Sequence, residues 1–267
     1  MKPSLPNFPA EDTGLSGLAT SREICICSIR PIEAPREAEI ELKALVASLG
    51  RSECGSEIVL LRNSDSPLFK IPRRQVSEIT VTPPDPCLIA ADSRSATRRF
   101  LLQIDEFIIP ENHAWIIIMD PAGIALRNLD HLIPEDSPGQ FAAPSVDFYW
   151  MPKDGSRTEA TSGIWAVRGH LLREVLKRWN QLLKEFADPE LAWSRTVAAL
   201  PFRKKRFESG EVIAPSMSRM NWEAISSAAF VTVPDWPSEE QRKFLQSLYF
   251  GTYFGDSTGL MLNILES

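Results

Sequence analysis

An apolar run, Trp115-Ile116-Ile117-Ile118-Met119, stops at a carboxylate, Asp120, which is followed by Pro121-Ala122-Gly123. In an open α/β sheet, ligands collect in the crevice outside the carboxyl ends of the strands. An acid at the last position of a central strand faces that crevice, so Asp120 is the first candidate ligand-binding residue. A second apolar pattern then leads into Leu129-Asp130-His131-Leu132, where Asp130 reads as a cap on the local turn. Ser162 and Gly163 have the residue types of a tight turn or of a ligand contact. Glu190 falls in the first turn of an expected helix, where an acid is favoured by the helix dipole with or without a catalytic duty.

Other chemistries lack their residues. There is no G-x-S-x-G string, and His113, His131 and His170 are scattered, so no nucleophilic triad is legible. Neither a phosphate-binding G-x-x-x-x-G-K-S/T loop nor a G-x-G-x-x-G fingerprint occurs, which sets aside ATPase and dinucleotide readings. Cys25 and Cys27 stand two apart on a strand-like segment, while Cys54 and Cys87 are distant from them. A disulfide between such neighbours is strained, and the spacing supplies no zinc motif, so reduced and mostly buried thiols are expected.

The elements that must hold these residues follow from the apolar periods. Residues 1–22 are rich in Pro, Ser, Gly and Thr and read as a tail, ahead of a single domain over 23–267. Ile24 to Ile29 is a strand run, and Ala38, Leu42, Leu45, Val46 and Leu49 share one face of a helix closed by Gly50. Strands are expected over 56–61 and 76–81, followed by a helix opening at Ser93 with Phe100, Leu101, Ile104, Phe107 and Ile108 in phase. Residues 115–119 are then a fourth strand, covered on both faces. This alternation implies parallel pairing through crossover helices. A loop with one short strand, Val146 to Trp150, precedes Thr161-Ser162-Gly163, read as a tight turn into a strand ending at Arg168. The stripe Leu172, Val175, Leu176, Trp179, Leu182, Leu183 and Phe186 marks the clearest helix, with Trp179 in its core face. Asp188 and Pro189 supply the cap and first residue of the next helix. Short strands at 211–215 and 229–233 and a final helix from Ser238 complete the order.

At 267 residues, 43% hydrophobic and 24% charged, the composition is that of an ordinary globular protein. A net charge of −6 argues against general nucleic-acid binding, and the basic run Arg203-Lys204-Lys205-Arg206 reads as a solvated loop or helix end. No apolar stretch approaches the roughly 18 residues of a membrane span, and the N-terminus lacks a secretory pattern, so a cytoplasmic location is expected.

Three strings, in this order, resemble the GT-A-fold glycosyltransferases of the glycogenin-like and lipopolysaccharide (family 8) type. Asp120 to Leu132, DPAGIALRNLDHL, is similar to that family's D-x-D-x-x-x-L-x-N-x-D-x-L. Thr161 to Arg168 is similar to its N-S-G-V-x-x-I-R, and Pro189 to Arg195 sits where it carries D-Q-x-x-W-N-R. The resemblance implies an α/β GT-A-like fold with one mixed, mostly parallel sheet flanked by helices. It also implies transfer of a sugar from a nucleotide sugar, by analogy a UDP-sugar, to a glycan or lipid-linked acceptor. In its terms Asp120 holds the metal and ribose, Arg98 approaches the diphosphate, and Thr161, Ser162 and Gly163 contact the sugar. Ser28 and Ala122 belong to the same cofactor-binding set, and Glu190 and Ser162 are the catalytic candidates.

The strings also depart from that family. The second acid of D-x-D is Ala122, Pro189-Glu190 replaces D-Q, and no C-terminal H-x-x-G-x-x-K occurs. A Mn²⁺ or Mg²⁺ ion held by one carboxylate would be weakly bound or absent. Three readings stay open: a metal-independent transferase using Arg98 or the 203–206 run as counter-charge, a rewired site, or an inactive module that binds a nucleotide, glycan or protein. An Ala122→Asp substitution is expected to strengthen Mn²⁺-dependent nucleotide binding if the D-x-D register holds.

Overall fold

The computed structural model describes residues 24–29, 36–52, 56–63, 76–81, 114–133, 146–153, 158–186, 188–215, 217–218, 220–233 and 238–254. In chain order the elements are β1 (Ile24–Ile29), α1 (Arg36–Arg51), β2 (Glu57–Asn63), β3 (Val76–Val81), β4 (Trp115–Met119) and β5 (Gly123–Ala125). After them come β6 (Phe148–Pro152), β7 (Ala160–Arg168), α2 (Leu172–Glu185), α3 (Pro189–Ala199), β8 (Lys204–Arg206), β9 (Val212–Ile213), α4 (Trp222–Ser227), β10 (Phe230–Thr232) and α5 (Ser238–Phe254). The tail, the helix expected from Ser93, Arg98, Cys54 and Cys87 lie outside the described residues.

Seven strands form the central sheet in the order β3-β2-β1-β4-β7-β6-β8. The pairs β3/β2, β2/β1, β1/β4 and β6/β8 are parallel, whereas β7 runs antiparallel to both β4 and β6. This is the expected mixed, mostly parallel α/β sheet, and a second, three-stranded sheet, β5-β10-β9, accompanies it. The sequence reading contained neither that sheet nor α4, because strands of two or three residues carry too little period to see.

The chain alternates faces as period two requires. Ile24 and Ile26 of β1, Ile117 and Met119 of β4, and the α1 stripe Leu42, Leu45, Val46 and Leu49 make one core layer. Cys25, Cys27, Ile116, Ile118, Trp165 and Val167 point the other way, onto Leu172, Val175, Leu176 and Trp179 of α2 and Trp193 and Val197 of α3. All five β4 residues are buried, as expected for a strand covered on both sides. Trp179 is a core residue, and Trp165, Trp179 and Trp193 pack ring to ring at 4.6–4.9 Å between centroids.

Two expectations are corrected. Thr161-Ser162-Gly163 is not a turn leading into a strand but lies within β7. Opposite it, the register with β6 jumps from Trp150↔Trp165 to Met151↔Thr161, so Ser162, Gly163 and Ile164 bulge without β6 partners. The glycine and small serine that suggested a turn serve a bulge, which bends the strand and re-aims its side chains. The basic run is likewise not a loop or helix end: residues 204–206 are edge strand β8, paired with β6. Each of its cations is committed locally. Arg203 forms a two-pronged pair with Asp147 at 2.9 Å, and Lys204 Nζ caps the α3 carbonyls of Val197 and Ala198 at 2.7 and 3.0 Å. Lys205 pairs with Glu208 at 3.1 Å, and the Arg206 guanidinium lies 4.9 Å from the Trp150 ring.

Candidate active site

β1 leads outward to β2 and β3, whereas β4 lies on β1's other side, so the strand order reverses between β1 and β4. Such a reversal opens a crevice at the carboxyl ends of the two strands. Ser28 and Asp120 flank it: Ser28 pairs with Met119, the residue before Asp120. The Ser28 hydroxyl is spent across the gap, donating to the Met119 carbonyl at 2.9 Å.

Asp120 extends β4 by one step, its amide donating to the Gly163 carbonyl of β7 at 2.9 Å. Its Oδ1 accepts the Ala122 amide at 2.8 Å, closing an Asx turn, and the side chain is half-buried. Ala122 itself turns away from the crevice. Only 2% exposed, it packs with Ile124, Ile225, Ala228 and Val231, and its carbonyl accepts from the Val233 amide and the Thr232 hydroxyl at 3.0 and 3.1 Å. Asp130 holds the turn beyond β5, accepting from the Ser56 hydroxyl at 2.6 Å, which is the structural role expected of it.

On the β7 side, the bulge brings the catalytic candidates together. The Ser162 hydroxyl donates to Glu190 Oε1 and the Ser162 amide to Glu190 Oε2 at 3.1 Å, with both residues under 9% exposed. Glu190 is set there by α3. Asp188 caps that helix as expected, accepting from the Glu190 and Leu191 amides at 2.9 and 3.4 Å. One helical face then docks on β7. Trp193 Nε1 donates to the Thr161 carbonyl at 3.0 Å, and Ser194 exchanges hydrogen bonds with Ala160 at 2.9 and 3.0 Å. Glu190, Trp193 and Ser194 stand at i, i+3 and i+4, the spacing of neighbours on one helix surface. The sequence reading missed Trp193 and Ser194 as fasteners, although that spacing was the signal. Thr161 is buried, and its Oγ1 accepts the Gly163 amide at 3.3 Å, so its polar atoms shape the bulge.

Ser28, Asp120, Thr161, Ser162, Gly163 and Glu190 therefore share one end of the sheet, while Ala122 belongs to the neighbouring apolar cluster. The 203–206 run is three strands away from β4 at the sheet edge.

Over 200 chains of known structure match this architecture. A glycosyltransferase involved in glycosylating the major capsid of the virus PBCV-1 superposes with a TM-score of 0.53 at 14% identity, over 84% of this chain and 98% of that one. The galactosyltransferase LgtC, solved with donor and acceptor sugar analogues, gives 0.52 at 11% identity, over 84% of this chain and 95% of its own. An active-site variant of LgtC with glutamine replaced by glutamate gives 0.53 at 12% identity over the same shares. The fold is that of the GT-A glycosyltransferases. At these identities the likeness is one of GT-A fold. No protein-family model matches the chain, and no curated protein matches it in sequence.

The donor set at this GT-A crevice does not suit a divalent cation. Among the described residues no group of three or more His, Cys, Asp or Glu side chains could hold a metal. Asp120 already gives one oxygen to its turn, and the position of the second acid is apolar and buried. Cysteine chemistry is excluded by electrostatics: burial pushes the Cys25 thiol up to about 12 and raises Cys27 well above its ordinary value, so both stay protonated. Among the described residues no helix is long and apolar enough to cross a membrane.

Proposed function

We propose that this protein is a glycosyltransferase that moves a sugar from a nucleotide-sugar donor, a UDP-sugar, to a glycan or lipid-linked acceptor in the cytoplasm. The observation that carries this reading is the convergence of Ser162 and Glu190 beside Asp120 at the reversal point of a GT-A-type sheet. Glycosyl transfer passes through an oxocarbenium-like transition state, and a preorganised carboxylate beside the anomeric carbon stabilises the developing positive charge. Glu190 supplies that carboxylate and Ser162 fixes its orientation. Asp120 addresses the ribose, with Thr161, Gly163 and Arg98 completing the donor site. Glu190 stands where the resembling family carries glutamine, the same pair of residue types exchanged in the LgtC active-site variant. The chemistry is assigned to the chain's own groups, and no step is routed through a metal.

A second reading has its own support. Both Glu190 oxygens accept from Ser162 in a buried setting, the arrangement of a clamp between helix and sheet, and such a clamp serves equally in a non-catalytic module that binds a nucleotide, glycan or protein. Titration with UDP, UDP-glucose and UDP-galactose, with and without Mn²⁺, tests the donor site, because a ligand of the folded state must raise the melting temperature. Stabilisation by at least one of these, followed by UDP release with a saccharide acceptor, is expected. No stabilisation under either condition overturns the nucleotide-sugar site, and stabilisation without turnover selects the second reading.

A further inference from the structure

Away from the crevice, three of the most exposed large apolar side chains gather in one place: Met217 at 49%, Met220 at 42% and Trp222 at 56% exposure. With Phe244 they floor a shallow pocket of about 370 Å³, whose remaining wall is Glu240, Lys243 and Ser247. Trp222 is held in place, its ring 5.9 Å from that of Phe244 at 41°. Glu240, Lys243, Phe244 and Ser247 stand at i, i+3, i+4 and i+7 of α5, so the helix presents one polar and one apolar wall along a single face. An exposed indole left open on one side, beside a carboxylate, an ammonium and a hydroxyl, fits nothing in the catalytic reading.

Size and charge choose among occupants. A stable protein partner needs about 800 Å² on each side, far more than this handful of side chains offers, whereas the volume lies at the small-ligand end of the range for binding pockets. Glu239 and Glu240 outweigh Lys243, which is itself paired with Glu239, so neither a phosphate-bearing ligand nor an anionic membrane finds complementary charge. A neutral ligand with one flat C–H face and hydroxyls around its edge fits both walls. The C–H face stacks on the indole, and the hydroxyls exchange hydrogen bonds with Glu240, Lys243 and Ser247. We propose that this pocket binds a neutral saccharide, with a pyranose ring stacked on Trp222. The site stands on its own geometry and does not depend on the transfer reading.

The full chain with ¹⁵N-labelled tryptophan, titrated with lactose, cellobiose and maltotriose, tests it. The Trp222 indole signal, identified by its loss in Trp222→Ala, should move with at least one saccharide while the buried Trp165, Trp179 and Trp193 signals stay put. Trp222→Ala should weaken that saccharide about tenfold or more by calorimetry, Trp222→Phe should retain part of the affinity, and Ser247→Ala should weaken it less. Because Trp222 is mostly exposed, an unchanged melting temperature is expected for these variants. No movement with any of the three sugars overturns the proposal, as does equal binding by Trp222→Ala. Movement with phosphatidylglycerol vesicles but not with sugars makes the surface a membrane contact and overturns it as well.

Discussion

Ser162 grips Glu190 with two donors, hydroxyl and backbone amide, across 28 residues of chain and two different elements. A carboxylate held at both oxygens cannot rotate away, so the pair fixes both the seat of α3 and the direction of the charge. The two roles separate by mutation. Ser162→Ala removes one donor from a buried carboxylate and is expected to cost about 1–3 kcal/mol, read as a lower melting temperature. Glu190→Gln keeps the shape and most of the hydrogen bonding, so its stability loss should be the smaller. Its loss of transfer rate should be the larger, roughly 10²-fold. Equal activity in Glu190→Gln and the native chain removes the carboxylate from the mechanism.

Ala122→Asp is expected to fail as a restoration of the metal site. The side chain would enter the cluster of Ile124, Ile225 and Val231 rather than the crevice, and an uncompensated buried charge costs about 3–5 kcal/mol. Denaturant unfolding should show that loss, with no gain in Mn²⁺-dependent nucleotide affinity. A gain in affinity would restore the metal-site reading of that position.

Gly123 is required by contact. A Cβ added there would run into the buried Phe230 ring across the β5–β10 pair. Gly123→Ala is therefore expected to destabilise by about 1–3 kcal/mol through overpacking. A paired Phe230→Leu should recover part of that loss in a double-mutant cycle, and strict additivity of the two changes would contradict the contact.

Acid sensitivity is expected at Asp147. The Arg203 side chain hydrogen-bonded to it, aided by the Arg203 amide and the charges of Arg203 and Arg168, holds its carboxyl below the ordinary range against the opposing effect of burial. A carboxyl depressed in the folded state contributes stability that is fully present above its unfolded value, about 3.9. That contribution is lost as pH falls through the lower folded value. The stability gap between the native chain and Asp147→Asn should be widest near neutrality and shrink below about pH 4. A gap that is flat with pH would mean that the carboxylate charge contributes nothing.

Long apolar periods were legible before any coordinates. The runs at 24–29 and 115–119, the stripes of α1 and α2, and the Asp188-Pro189 helix start all form where residue type and spacing place them. The candidate site was legible as separate strings, and its assembly was not. Nothing in Thr161-Ser162-Gly163 says that the opposite strand skips three residues, since a bulge is fixed by the partner strand as much as by its own sequence. Likewise Arg203 to Arg206 reads as solvated charge because its partners, Asp147, the α3 carbonyls, Glu208 and Trp150, lie on other elements. Ala122 looked like a lost ligand in a motif; only packing shows that its side chain points into a core.

The central place of β4 also sets when the site can exist during synthesis. Its β1 partner was made about ninety residues earlier, with Ile24 opposite Trp115, and its β7 partner follows some forty residues later, with Ile164 opposite Met119. Pairings so distant along the chain pay a large loop-closure entropy before they return any contact energy, which makes folding slow. Asp120 gains its Gly163 contact only after β7 has emerged, and Glu190 reaches Ser162 only after α3 has. The crevice is therefore a late product of translation, and a ribosome-bound chain that ends before Ala199 carries the first half of the sheet without its candidate catalytic pair.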